Sequence, residues 1–404
     1  MKAVDVQYKE NNILYGAVLL LGLYFCYLSL PINKQPSFLL YSGSLLLSMV
    51  CIYGGESVNN RFLGFLLILV GLAALGFPMA FRLPIAIDDH NYMRLFERAG
   101  TMDLLPYLRS SDQEKGYLFL NWFLYRQLGG DYNYFQVTIV YFTFLMWALS
   151  FRLMGNLKGS RIYMALFIWS HFYFFVLNSG LVRIFMAAPF AFIGLQYIWK
   201  GNGSWKKCFL FIVFGALFHL SVLVMLLFLF FFPKRNYFFK NWLLFVFINI
   251  FVVFIALISM ANLLVPLLGQ RYQGYGEIDD LSFSAGSFTT FPIWVICYLY
   301  LKNLPPVSDE YKKKYIIGMI LLSLSMIFSV AATMVHVGRI IFYSYIGLLI
   351  LVASIFQLRT RNTTEVVIKC LLIIYSLVYV MQTNMLNNSK TQLFPYKSFL
   401  WGDN

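Results

Sequence analysis

Charge is what this sequence has least of. Asp, Glu, Lys and Arg make up 12% of its 404 residues against 60% apolar residues, and mean hydropathy is +0.71. A water-soluble globule needs more charge on its surface, so that class is excluded and a polytopic membrane protein remains. Cysteine is scarce too. Cys26, Cys51 and Cys297 stand inside apolar runs, Cys208 and Cys370 at run edges, and no CxxC or Cys/His spacing occurs. Neither a disulfide framework nor a zinc site is indicated. Acidic residues number 17 against 31 Lys and Arg, for a net charge of +14. That excess does not point to nucleic acid, because most of the basic residues fall in short breaks between apolar runs, where they set membrane orientation. A soluble domain, an internal repeat and a low-complexity linker are all missing. The first apolar run follows MKAVDVQYKENN without a small-residue cleavage site, so it is read as an uncleaved first helix. The chain, 1–404, is read as one transmembrane domain.

Runs able to cross a bilayer are expected at roughly 12–31, 36–54, 62–81, 134–151, 161–178, 182–199, 241–262, 289–302, 314–334, 338–357 and 365–386. The run 208–232 is a special case. Basic clusters stand at Arg152, Lys158 and Arg161; at Lys200, Lys206 and Lys207; at Lys234, Arg235 and Lys240; at Lys302 and Lys312 to Lys314; and at Arg359, Arg361 and Lys369. All should be cytoplasmic. A single crossing by 208–232 would put its two flanking clusters on opposite sides. A broken helical hairpin, with its tip at Phe218-His219-Leu220-Ser221, removes the conflict, since each arm of about a dozen residues is only about 18 Å long. The expected architecture is all-α, with about 11 crossing helices plus this hairpin. The N-terminus is then cytoplasmic and the C-terminus external.

This topology gathers the misplaced polar residues on one side. An Arg at bilayer depth costs roughly 2.5 to 3.5 kcal/mol on insertion scales, yet Arg183 and His219 both sit in apolar runs. The loop 82–133, the approach to Arg183, the loop with Arg271 and the connection at Arg339 all emerge externally, and His219 points there from within. The external loop carries interfacial helices of its own. Asp88 and Asp89 can cap a helix over His90 to Ala99 with Tyr92, Leu95, Phe96 and Ala99 on one face. GYLFLNWFLYRQLGG reads as a second apolar helix, too short to cross and stopped by Gly129-Gly130.

Three arginines, Arg183, Arg271 and Arg339, suit an anionic phosphate, because the guanidinium fork holds two oxygens at once and stays charged. Each can also be an interfacial anchor or the partner of a buried carboxylate. As proton acceptors the candidates are Asp88, Glu114 and His219; for Asp88 the competing role is a helix N-cap, and for Glu114 a solvated loop residue. Tyr92, Tyr117, Tyr272 and Tyr275 can stack on sugar rings or belong to the interfacial aromatic belt. Adjacent aspartates are a weak metal signal, so neither a metal nor a cofactor is expected.

These residues, in this order, resemble the EpsG family of polysaccharide polymerases, relatives of the Wzy-type O-antigen polymerases. The resemblance rests on Asp88, Asn91, Tyr92 and Phe96; on Glu114, Gly116 and Tyr117; on Asn178, Arg183 and Ala187, with Ile184 where the family has Gln; on Phe218, His219 and Ser221; on Arg271-Tyr272; and on Arg339, Ile340 and Tyr343. It spans residues 80–345. It implies a GT-C-like multi-pass glycosyltransferase that moves a growing glycan from polyprenyl (undecaprenyl) pyrophosphate to a lipid-linked repeat unit. The reaction would take place on the external face of the cytoplasmic (inner) membrane. In that setting the arginines bind pyrophosphate, and the partners are the lipid-linked donor and acceptor, membrane lipid, a chain-length regulator and a flippase. An O-antigen ligase, a membrane O-acyltransferase and a lipid-linked oligosaccharide flippase are the alternatives.

Overall fold

The computed structural model describes residues 2–84, 88–153, 159–173, 182–199, 205–226, 291–303, 307–330, 337–358, 362–382 and 396–400. Among these, every regular element is helical, and the one β feature is an isolated antiparallel bridge between Arg82 and Ser398. The helices are α1 (Lys2–Ser29), α2 (Gln35–Ser57), α3 (Arg61–Ala80), α4 (Asp89–Gly100), α5 (Leu104–Arg109), α6 (Lys115–Gln127), α7 (Tyr132–Leu153) and α8 (Ser160–Phe167), which continues as a π-helix over Ile168–Tyr173. Then follow α9 (Val182–Trp199), α10 (Trp205–Ala216), a 3₁₀ segment (Leu220–Leu226), α11 (Phe291–Lys302), α12 (Asp309–Val330), α13 (Val337–Gln357) and α14 (Thr363–Val380). Within the described residues, Asn12–Ser29, Ile32–Ser57, Arg61–Ala80, Tyr132–Leu153 and Thr363–Val380 are long and apolar enough to cross a membrane. The chain is a helical, multi-pass membrane protein. The expected crossing at 241–262 lies outside the described residues.

Two compact units divide the chain. The first holds Met1–Phe190, Leu217–His219 and Val352–Asn404; the second holds Ala191–Ala216 and Leu220–Leu351. In the first unit α2 packs on α3 and α3 on α7. The Asn60 side chain starts α3 by accepting from Phe62 N at 2.9 Å and Leu63 N at 3.1 Å, which satisfies two of the donors a helix start leaves open. Leu21, Phe25 and Leu28 of α1 stay exposed, an apolar face suited to lipid.

At the far end of α3 the chain turns into the loop 82–133. Arg82 is buried there against Asp89, the first residue of α4, with Nη2 donating to Oδ1 at 2.9 Å and Nη1 to Oδ2. Burial works against the guanidinium charge, and the Asp89 carboxylate, with the hydroxyls of Tyr132 and Tyr41, more than restores it. Gln136 of α7 donates to the carbonyls of Ala80 at 3.0 Å and Arg82 at 2.8 Å, two acceptors that the end of α3 leaves open. The C-terminal residues close the same end: Leu83 N donates to Lys397 O at 3.0 Å, Ser398 Oγ to Phe81 O at 2.7 Å, and Tyr396 OH to Pro78 O at 3.1 Å. The C-terminal residues 396–400 therefore lie at the end of α3 from which the loop departs. Removing one partner of a buried ion pair leaves the other uncompensated, so Asp89→Asn is expected to destabilise by about 3 kcal/mol or more. A melting curve of the purified protein in detergent checks this, and an unchanged midpoint would show that the pair holds nothing.

The loop is a helical layer. Where the sequence predicted two helices there are three, α5 being unforeseen. Tyr92, Phe96 and Ala99 of α4 are buried, as their spacing predicted. Together with Tyr117 and Leu124 of α6 and Phe135 and Ile139 of α7, Tyr92 and Phe96 form one apolar cluster. Tyr107 of α5 donates to Leu95 O at 2.8 Å, and Trp122 of α6 to Met102 O at 3.2 Å, beneath the Arg126 guanidinium stacked 3.9 Å from its ring. α6 stops where Gly129 and Gly130 take φ of 64° and 80°, a left-handed turn that L side chains disfavour. Phe119 and Phe123 face outward from α6 and are exposed.

In the second unit α10 has 12 residues, about 18 Å of helix, too little to cross a core about 30 Å thick. It ends at Ala216, and beyond the break Leu220–Leu226 folds back against it as a 3₁₀ turn. The break falls at the tip predicted from the basic clusters. Residues 227–232, the rest of the second arm expected from the sequence, lie outside the described residues.

Candidate active site

All of the site's described residues belong to the first unit, and they are assembled by α4, α6, the start of α9 and the tip Leu217–His219. α6 begins directly after Glu114, and Tyr117 N is one of the donors left open by its first turn. Its partner is the carbonyl of Leu217, at 3.0 Å, which the break after α10 has freed. Such close backbone contact requires Gly116, because a Cβ there would lie 2.6 Å from Leu217 Cβ and 2.7 Å from Leu217 O. Phe218 follows, packed 5.6 Å from the Phe190 ring and 6.3 Å from Phe142, and His219 comes next, buried. Gly116→Ala is therefore expected to push the tip off α6, costing about 1 to 3 kcal/mol by overpacking. A lower melting midpoint of the purified protein in detergent would show this; an unchanged midpoint would contradict it.

Across from this joint stands Arg183, in the first turn of the described part of α9 and 5% exposed. Its Nη1 donates to Glu114 Oε2 and to Gln113 Oε1, and its Nε to the Tyr92 hydroxyl at 3.4 Å. The guanidinium carbon lies 5.6 Å from the ring centre of Tyr92 and 5.7 Å from that of Tyr117, within cation–π range of both. The two rings meet edge to face, 5.7 Å apart. Glu114 is buried with its partner, its side chain 8% exposed.

Four of the residues singled out in the sequence, Tyr92, Glu114, Tyr117 and Arg183, therefore meet directly. Two more adjoin them along the chain. Asp88 precedes α4, and its carbonyl accepts from Tyr92 N at 3.1 Å, while its side chain makes no capping bond to that helix. His219 follows Leu217 by two residues. Glu114, expected as a solvated loop residue if not functional, is neither solvated nor free: it balances the Arg183 charge. Tyr117 is fully buried and walls the arginine in. Arg271, Tyr272, Tyr275 and the side chain of Arg339 lie outside the described residues.

Two contributors escaped the sequence reading. Gln113 has no signal beyond standing next to Glu114, and Arg82 none beyond being the first cation after α3, seven residues before Asp89.

Fold and site together define a multi-pass membrane protein with a buried arginine–carboxylate centre beneath a helical loop. Residues 65–398 match the EpsG family model, a wider span than the motifs themselves covered, and the chain belongs to the EpsG family, a Wzy-like polysaccharide polymerase family. Comparison with curated proteins and with solved structures returns no match.

Proposed function

We propose that the chain polymerises an exopolysaccharide or O-antigen by moving a growing glycan from a polyprenyl pyrophosphate to a lipid-linked repeat unit, on the external face of the cytoplasmic membrane. The observation that carries this reading is Arg183 itself. A buried guanidinium held between an acid, an amide and two tyrosines is a site for an anion with two oxygens to offer, and the pyrophosphate of a lipid-linked donor is such an anion. In this reading an acceptor hydroxyl oxygen bonds to the anomeric carbon of the donor sugar. The bond from that carbon to the pyrophosphate oxygen breaks, and the electron pair leaves with the lipid pyrophosphate. Arg183 stabilises the negative charge that develops there. The hydroxyl proton goes to Glu114, the one candidate acid whose side chain the geometry sets on Arg183. Tyr92 and Tyr117 fix the direction of the guanidinium, and Asp88 and His219 orient the acceptor from the two sides that adjoin Tyr92 and Leu217.

Deleting the gene in its native cell and restoring it on a plasmid tests the reading. Cells without the chain are expected to accumulate single lipid-linked repeat units, and restored cells to show a ladder at repeat-unit intervals. A full ladder in the deleted cells would overturn the proposal. Single units transferred to the final surface acceptor only when the chain is present would favour a ligase.

A further inference from the structure

Arg183 is already occupied by an anion. Glu114 Oε2 and Gln113 Oε1 converge on the same atom, Nη1, and so take both of its N–H groups, while Nε faces the Tyr92 hydroxyl. A guanidinium offers a bidentate ligand two forks, Nη1 with Nη2 or Nε with Nη2. The first is blocked by Glu114 and Gln113. The second is reached only past the Tyr92 hydroxyl, and a phosphate there meets the Glu114 charge across a single guanidinium. Buried as Arg183 and Glu114 are, the two anions repel strongly.

From this geometry we infer that Glu114 is an internal stand-in for the donor's phosphate, and that donor binding is an exchange of anions on Arg183. The inference rests on the reading of Arg183 as the pyrophosphate group. Exchange keeps the buried guanidinium neutralised throughout, whereas an empty Arg183 would be an uncompensated buried charge. It also orders the reaction. While Glu114 is bound to Arg183 its carboxylate is held away from an acceptor. Once pyrophosphate displaces it, the proton of the acceptor hydroxyl becomes its route back to neutrality. The proton acceptor is thus released only when a donor is in place.

The test is binding of inorganic pyrophosphate to the full chain in detergent, by calorimetry. Glu114→Gln keeps the side chain's shape but removes the competing charge, so it is expected to bind pyrophosphate about tenfold more tightly, as loss of one competing charged hydrogen bond allows. Gln113→Glu adds a second competitor and is expected to weaken binding by a similar factor. Arg183→Ala is expected to lose binding, and Glu97→Gln, an exposed acid on α4, to leave it unchanged. If Arg183→Ala binds normally, the reading of Arg183 fails and the inference with it. If Arg183→Ala loses binding but Glu114→Gln binds no more tightly than wild type, the reading stands and the exchange is overturned. Should Glu114→Gln not fold, Gln113→Glu decides alone, and unchanged or tighter binding there rejects the inference.

Discussion

Arg183→Ala is expected to abolish polymer while the protein still reaches the membrane. Under the proposed function the substitution removes the group that receives charge from the departing pyrophosphate, and single groups in that position are worth about 10²- to 10³-fold in rate. It also leaves the Glu114 carboxylate buried without its cation, so some loss of stability accompanies the loss of rate. Arg183→Lys separates the two effects. A lysine restores the charge and much of the stability, but it is a point charge on a flexible stem and cannot fill the place of a fork held by Gln113, Glu114 and the Tyr92 hydroxyl at once. Polymer should therefore stay close to absent in Arg183→Lys although the protein accumulates. Gel profiles of extracted polysaccharide, read beside an immunoblot of membranes, give both quantities. A wild-type profile from Arg183→Ala would remove Arg183 from the mechanism.

Glu114→Gln is expected to turn over at least ~100-fold more slowly, as loss of a proton acceptor typically does, while its pyrophosphate binding improves. Few substitutions at a site do both. A residue that merely supported the fold would lower binding and turnover together, whereas one competing for Arg183 and then accepting a proton moves them apart. Asp88→Asn and His219→Ala are expected to fall short of this loss, because they adjoin the centre without bonding Arg183 in the structure. Near-normal turnover in all three would mean that the acceptor is activated by departure of the leaving group alone.

The helical layer of the loop was legible where period and punctuation agreed. Tyr92, Phe96 and Ala99 recur at helical spacing, and Gly129-Gly130 marks a left-handed stop that few other residues tolerate. α5 carried too few residues for a period and has a proline in it, so it was not seen. The break at Leu217 was invisible to hydropathy, since 208–232 is apolar throughout. It could be read only because basic clusters, which are expected on one side of a membrane, flank the run at both ends. Why the chain breaks there needs the structure: the freed Leu217 carbonyl finds the Tyr117 amide, and Gly116 makes room.

The site was legible as a set of residues but not as a set of bonds. Glu114 and Arg183 stand 69 residues apart, and no local rule pairs residues at that distance. Both roles weighed for Arg183, phosphate ligand and partner of a buried carboxylate, were sound chemistry, and the geometry shows the second in place. The exchange argued above reconciles it with the first. Asp88 and Asp89 looked alike as neighbouring acids, yet the Asp89 side chain pairs with Arg82 while Asp88 gives its carbonyl to the first turn of α4. What separates them is the Arg82 side chain, whose own backbone Gln136 holds through the Arg82 carbonyl, with Ser398 on the neighbouring Phe81 carbonyl.

The most direct test is reconstitution. Purified protein in liposomes, given the native polyprenyl-pyrophosphate-linked repeat unit as its only substrate, should produce a ladder that lengthens with time and releases one lipid pyrophosphate per bond formed. Neither should occur with Arg183→Ala. Wild-type protein that leaves the repeat units single, or an Arg183→Ala variant that builds the same ladder, would contradict the account.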